Sequence, residues 1–397
     1  MVWLFPEPSH WQTLRCAENI QTFAEYVRNS RSDFIADAPE NENTPQVIPG
    51  WAGYFSYEAG RALMGMPHTG LLGEFGFYPM VLRLNLSSGE SDAFWLPSLT
   101  ENDVDARLSH LTSHIEAAKA ARYHPVLPSW QAKWDKPAYL SRFQRVHEYL
   151  LAGDCYQVNL AMPFDCAGDL RGQTGLPLLE GFRPSFGGIF RGDHSTLFSV
   201  SPERFIHVQN GRMETRPIKG TAPRSENAKQ DEQNRHWLAG SEKNRAENLM
   251  IVDLLRNDMS IYAQTGTVQV PSLFSIESHA NVHHMVSTIT AKLADNASAV
   301  DVVLAALPGG SITGAPKKRS MEIIQELEAA SRSAYCGSMG YFGVDGSCDF
   351  NILIRTIIAT ETGATCWGGG GVVMDSDADS EWEEIHNKVG AILRSPI

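Results

Sequence analysis

The sequence predicts an α+β protein in which sheet faces pack on each other and helices lie outside. Three observations carry this. Strand-like runs recur along the chain: CYQVNLAM, STLFSV, RFIHVQ, TVQVPSLFSI, SMGYFGV, FNILIRTIIAT and GVVMD. Between them stand amphipathic helical stretches, such as Tyr139, Phe143, Val146 and Leu150 at steps of four, three and four. The alternating rhythm of βαβ units is missing. From the start, WAGYFSYEAG is aromatic and β-prone, VLRLNLSS alternates with period two, and 101–121 reads as a polar-faced helix. YHPVLPSWQAKWDKP holds three prolines and no clean periodicity, so it is read as the connection between an N-terminal region, 1–125, and a second domain, 136–397. The polar segment 223–244 is expected to be a surface loop or short helix.

Length and composition narrow the function. A chain of 397 residues buries a large core, and 43% hydrophobic with 20% charged residues is ordinary globular composition. A net charge of −13 speaks against a nucleic-acid partner, which needs clustered Lys and Arg, but leaves room for a small anion. The six cysteines are scattered, with neither a CxxC pair nor a cluster, so reduced thiols are expected. No run approaches the ~20 apolar residues of a membrane span. The start, MVWLFPEPSHWQ, has no basic segment ahead of an apolar one, so a cytoplasmic protein is expected.

Two helices carry carboxylates in unusual places. In NRAENLMIVDLLRND, Glu247 shares a face with Met250, Ile251 and Leu254. A carboxylate there must be paired, protonated or bound to a cation, and a salt bridge competes with a metal as the explanation. In the last helix Trp382, Ile385, Val389 and Ile392 form the core stripe, with Ser380 expected as N-cap and Glu383 as its capping-box partner. Glu381, Glu384 and Lys388 form a second stripe. A Glu–Lys pair explains Glu384 and Lys388 but leaves Glu381 idle. Carboxylates from two helices would suit Mg2+. GGGG at 368–371 is either a set of N–H donors for an anion or a bulge or tight bend. GSITGAPKKRS puts Pro316 near the first turn of a helix, a second anion site with Ser311 and Thr313 beside it. Lys317, Lys318 and Arg319 read as solvated. Lys219, in TRPIKGTAPR, is an amine between apolar Ile218 and Gly220. It is either a nucleophile of lowered pKa or an ion-pair partner at a strand edge. His283 and His284 face opposite ways on a strand.

Together these segments resemble the chorismate-utilising enzymes: anthranilate, isochorismate and salicylate synthases and aminodeoxychorismate synthase component I. The resemblance rests on AGDCYQVNLA, SPERF, RPIKGTAPR, AENLMIVDLLRND, HHMVSTI, PGGSITGAPKKRSMEII, CGSMGYF, IRT and GGGGVVMDS…EWEE…K, with GYFSYEAGR a weaker match upstream. It implies large antiparallel sheets, a site between them, chorismate as substrate and Mg2+ as cofactor. Anthranilate synthases have Ala where this chain has Lys219, and the lysine is similar to the aminodeoxychorismate branch. There the resemblance implies covalent catalysis by Lys219, with Glu203 as general acid and His284 as the active-site histidine. Glu247 and Glu384 match the magnesium ligands, and Glu381 a carboxylate behind them. Asn244 stands where many relatives carry an acid. Gly220, Thr221, Tyr341, Arg355 and the backbone of Gly369, Gly370 and Gly371 match chorismate contacts, and Ser311 is placed with them. Nothing in the chain looks like a glutaminase, so ammonia is expected from a separate glutamine amidotransferase subunit, component II. A tryptophan-type pocket around SRSDFIADAP is left open. Anthranilate synthase component I is the alternative activity.

Overall fold

The computed structural model describes residues 2–33, 35–36, 47–120, 125–279 and 282–397. Among them the strands form three antiparallel sheets, of four, seven and ten strands. The ten-stranded sheet runs from Ile218–Pro223 and Val282–Lys292 through Arg204–Gln209 and Cys348–Asn351 to Ser338–Gly343. It then continues into Gly50–Phe55, Gly73–Tyr78 and His10–Leu14. The seven-stranded sheet is centred on Thr356–Ala359, Gly363–Val372 and Gln157–Ala167.

The two large sheets share one core. Ala161, Leu197, Ile358 and Trp367 of the smaller sheet join Phe205, Met213, Phe342 and Phe350 of the larger in a single buried cluster. The other face of the seven-stranded sheet is covered by Lys136–Leu151, Lys317–Glu328 and Ala378–Leu393, where Val158, Leu160 and Met162 meet Tyr139, Val146, Ile324, Ile385 and Val389. Strand alternation explains the partition. Val158, Leu160 and Met162 point to the helices, and the intervening Gln157, Asn159 and Ala161 point inward. The helix Lys136–Leu151 follows the expected stripe, with Tyr139, Phe143, Val146 and Leu150 buried and Asp135 capping the Ala138 N–H.

Several expectations change. The N-terminal region does not stand apart: Gly50–Phe55 pairs with Ser338–Gly343 in continuous register, so the 125–136 boundary marks no break in the sheet. The proline-rich connection, beyond residues 121–124 outside the described part, adds a short strand, Gln131–Ala132, to the seven-stranded sheet. Segment 223–244 takes the helical of its two expected forms, a surface helix Ala228–Gly240, which leads into Glu242–Ser260. FNILIRTIIAT is two strands. Cys348–Asn351 belongs to the larger sheet and Thr356–Ala359 to the smaller, with Arg355 at φ 51° in the crossing. Apolar content without a turn residue hides such a crossing. The last helix begins earlier than expected: Asp377, not Ser380, is its N-cap and accepts from the Ser380 N–H. Part of SRSDFIADAP, residues 34 and 37–39, lies outside the described residues.

Candidate active site

The crossing from one sheet to the other, the Gly-rich strand and two acidic helices converge on one region. Residues 366–372 are the key. Gly363–Val372 pairs with Gln157–Ala167 without a register shift, so the glycines form neither a bulge nor a bend. Thr356–Ala359 pairs only as far as Cys366, so among the described residues no strand uses the second edge beyond it. Each glycine marks a close approach. A Cβ on Gly368 would lie 2.9 Å from Ile385, and one on Gly370 would lie 2.8 Å from Glu381 Oε2 and 3.7 Å from Glu384 Oε1. On the inward face a Cβ on Gly369 would lie 2.9 Å from the Tyr335 hydroxyl, and one on Gly371 3.1 Å from the Gln157 amide. A side chain at Gly369, Gly370 or Gly371 would press on a polar group, and one at Gly368 on the helix behind.

Glu203 is 6% exposed and accepts a hydrogen bond of 3.0 Å from the Ser311 hydroxyl. Burial pushes its carboxyl above the usual range, against the opposing pull of the Lys219 charge and the Ser311 donor. Lys219, on Ile218–Pro223, donates 3.1 Å to the Ser311 carbonyl. Burial holds its amine below the ordinary lysine value, although Glu247 and Glu203 pull the other way. Gly220, at φ 86°, turns the strand immediately after it, where a Cβ would lie 2.8 Å from Asn244. Thr221 is exposed and pairs across the sheet with His284.

The acidic helices meet across this region. Glu247 is 16% exposed at the side chain, and burial raises its pKa. Glu381 is almost fully buried, accepts 2.7 Å from the Ser376 hydroxyl, and is likewise raised by burial. Burial also pushes Glu384 up, but the Lys388 ammonium at 2.6 Å outweighs it and leaves the carboxyl lowered. Lys243 spans the helices, 4.0 Å from Glu247 and 3.8 Å from Glu381. Lys388 also donates 3.0 Å to the Gly369 carbonyl. Among the described residues no three acidic, His or Cys side chains stand close enough together to grip an ion. The donor set nevertheless fits a hard cation. Mg2+ needs only one or two carboxylates, and Glu381 and Glu384 border the space that Gly370 leaves bare, with Lys243 linking Glu381 to Glu247 of the other helix.

His284 is buried, and its Nδ1 has no partner among the described residues. Burial, with the Arg355 and His279 charges, pushes its pKa down to about 4, so it stands neutral. His283 faces the other way and is tied to Ser278 at 2.8 Å and Asp231 at 3.1 Å, a structural clip. No hydrogen bond or ion pair forms at the Arg355 guanidinium among the described residues, and burial lowers its pKa.

Tyr341 does not join the others. It packs with Ala52, Tyr78 and Phe94 toward the four-stranded sheet, 6.4 Å from the Phe5 ring. Phe342, its neighbour on the strand, takes the inward position. Tyr335 sits where a tyrosine was expected: it is 3% exposed, stacked at 5.5 Å on Trp367, with its hydroxyl at Gly369. Gln157 is a second residue missed in the sequence. It is fully buried, and neither side-chain polar atom has a partner among the described residues. A polar side chain inside the apolar run YQVNLAM was its only signal. Lys317, expected in solvent, makes a mostly buried 2.9 Å pair with Asp258.

The profile of the chorismate binding enzyme family matches residues 4–394. The chain belongs to that family. Aminodeoxychorismate synthase component 1 of Salmonella typhimurium is 42% identical over 352 residues, covering 87% of this chain and 76% of that protein. The Escherichia coli protein of the same name is 42% identical over 362 residues, covering 89% and 78%. The crystal structure of anthranilate synthase component I from Streptococcus pneumoniae has the same fold, with a TM-score of 0.81 at 21% identity over 99% of this chain and 92% of that one. Among the described residues no helix is long and apolar enough to cross a membrane.

Proposed function

We propose that this protein replaces the C4 hydroxyl of chorismate with an amino group, as an aminodeoxychorismate synthase component I working with a separate glutamine amidotransferase. The observation that carries the reading is Lys219, an amine whose pKa burial lowers, set beside a buried acid whose pKa burial raises. Both shifts run toward the charge states that a nucleophile and a general acid need. The neutral Lys219 nitrogen attacks C2 of chorismate, and the ring double bonds shift. The C4 hydroxyl departs as water, carrying the Glu203 proton. Ammonia then adds at C4 and the lysine leaves from C2. Arg355 faces a substrate carboxylate, and the open edge of Gly369–Gly371 offers N–H groups to the same kind of anion. Glu247 and Glu384 would hold Mg2+, with Glu381 behind them, and the ion would neutralise carboxylate charge on the substrate. The 42% identity to two proteins named aminodeoxychorismate synthase component 1 supports the reading. That name supports a component 2 partner.

The test is incubation of the purified chain with chorismate, ammonium and Mg2+, followed by chromatography. A C4-amino product that keeps its enolpyruvyl group, abolished by chelator and by Glu247→Gln or Glu384→Gln, is expected. Release of pyruvate with anthranilate would give the activity to the alternative.

A further inference from the structure

We propose that Ser311 is a positioning residue, set between Glu203 and Lys219 to keep acid and amine from closing into an ion pair. The inference rests on the proposed covalent route, and it moves Ser311 from the substrate contacts to the machinery behind them.

The geometry is specific. One residue serves both groups: its hydroxyl donates to Glu203 at 3.0 Å and its carbonyl accepts from Lys219 at 3.1 Å. Ser311 is 7% exposed, so its hydrogen-bonding capacity is committed to these two partners. Neither Glu203 nor Lys219 forms an ion pair among the described residues, although each feels the charge of the other. The segment carrying Ser311 is pinned at several points. Lys317 reaches back to Asp258 at 2.9 Å and to the Ala306 carbonyl at 3.2 Å. Arg332 donates to the Ile312 carbonyl at 3.2 Å, the Asn159 N–H to the Thr313 carbonyl at 2.8 Å, and Thr313 Oγ1 to the Gly309 carbonyl at 3.0 Å. A lysine in the first turn of a helix opposes the helix dipole, so the position of Lys317 is explained by the pin rather than by the helix.

Such a spacer has a chemical reason. An acid and an amine that touch share their proton as carboxylate and ammonium, and both are then in the wrong state for the reaction. Other charges act on each group. Glu247 and Glu384 favour protonated Lys219 and Lys388 opposes it; Lys219, Lys388 and Arg355 favour ionised Glu203. Ser311 gives each a neutral partner instead, its hydroxyl to Glu203 and its backbone carbonyl to Lys219.

The test begins without chorismate. Lys219 is labelled with trinitrobenzenesulfonate across a pH series and quantified by peptide mass spectrometry. Ser311→Ala is expected to slow labelling at neutral pH about fivefold or more and move its midpoint upward, while Ser311→Thr stays within about twofold of the parent. With chorismate and ammonium, Ser311→Ala is expected to lower and broaden the pH profile of kcat, the acid limb moving down and the alkaline limb up. KM for chorismate then stays within about twofold. Where Ser311→Ala fails to fold, Ser311→Gly, which also lacks the hydroxyl, replaces it. Unchanged Lys219 labelling overturns the proposal. So does a lowered profile with unmoved limbs, which marks a merely structural role, or a raised KM with unmoved limbs, which marks a substrate contact. Absence of C4 amination in the parent protein would sink the proposed function, and the labelling series would still decide Ser311.

Discussion

Two buried cation–carboxylate couples flank this site, and they are built in opposite ways. Arg332 and Glu328, both nearly inaccessible, meet directly through contacts of 2.8 and 2.5 Å. Their remaining valences are also filled: Glu328 accepts from the Ala161 N–H at 2.9 Å, and Arg332 donates to the Asn159 carbonyl at 2.6 Å. Glu203 is buried too and Lys219 is half-buried, but the two are held apart by Ser311. Direct contact satisfies both charges and makes the first couple a rivet between the Lys317–Glu328 helix end and the Gln157–Ala167 strand. Separation leaves burial to push both groups of the second couple toward their neutral forms. Burial alone therefore does not distinguish a structural ion pair from a reactive one; the intervening partner does.

The comparison can be broken from either side. Removing one charge of the rivet, Glu328→Gln, should leave Arg332 uncompensated and cost about 3–5 kcal/mol in denaturant unfolding. A smaller loss would mean that the carbonyl partners alone satisfy the guanidinium. In the reactive couple, Glu203→Gln should leave stability nearly unchanged or raise it, since an acid disfavoured by burial is removed. It should lower kcat about 10²- to 10⁴-fold through loss of the proton donor. A fall in stability without that kinetic loss would place Glu203 with the rivet.

His284 sharpens the same contrast through pH. Its folded pKa, about 4, lies below the ordinary ~6.5, so between these values the unfolded chain binds more protons and stability rises with pH. This contribution is fully present above about pH 6.5 and is lost as pH falls toward 4. The parent's stability relative to His284→Leu should therefore drop by up to about 3 kcal/mol over that window, read from urea melts at stepped pH. A flat difference would mean that the ring titrates normally. The smallest effect is expected at Arg355, whose guanidinium has no partner among the described residues and is proposed to face a substrate carboxylate. Arg355→Ala should raise the chorismate KM roughly tenfold to a hundredfold, the range of a charge-assisted hydrogen bond. If melting falls while KM holds, Arg355 serves the sheet crossing rather than the substrate.

Much of this region was legible because local signals agreed with the tertiary arrangement. Glu247 stood out as a carboxylate on an apolar face, Glu381 as an acid that no i,i+4 pair explained, and GGGG as either a row of N–H donors or a bend. The unbroken register removes the bend, and Glu381, Glu384 and Tyr335 approach the bare strand closely. Where long-range geometry decides, the sequence was silent or misleading. Tyr341 and Tyr335 are both tyrosines near the same strand, and only the alternation of Phe342 into the core turns Tyr341 away. Gln157 carries no periodic signal, because inward and outward faces of its strand are both buried. The split of FNILIRTIIAT between two sheets is equally hidden, since both halves are apolar and no glycine or proline marks the turn at Arg355.

The central claim is that Lys219 is the nucleophile, and one measurement addresses it most directly. Lys219→Ala and the parent protein are each given chorismate, Mg2+ and ammonium, with products separated by chromatography. A parallel sample with chorismate alone is quenched and weighed by mass spectrometry. The account predicts a chorismate-derived adduct on the parent at Lys219 and none on the variant. It also predicts loss of most C4 amination with chorismate binding kept, and any residual amination displaced toward C2. An undiminished rate of C4 amination in Lys219→Ala would contradict it and reduce the lysine to electrostatic support.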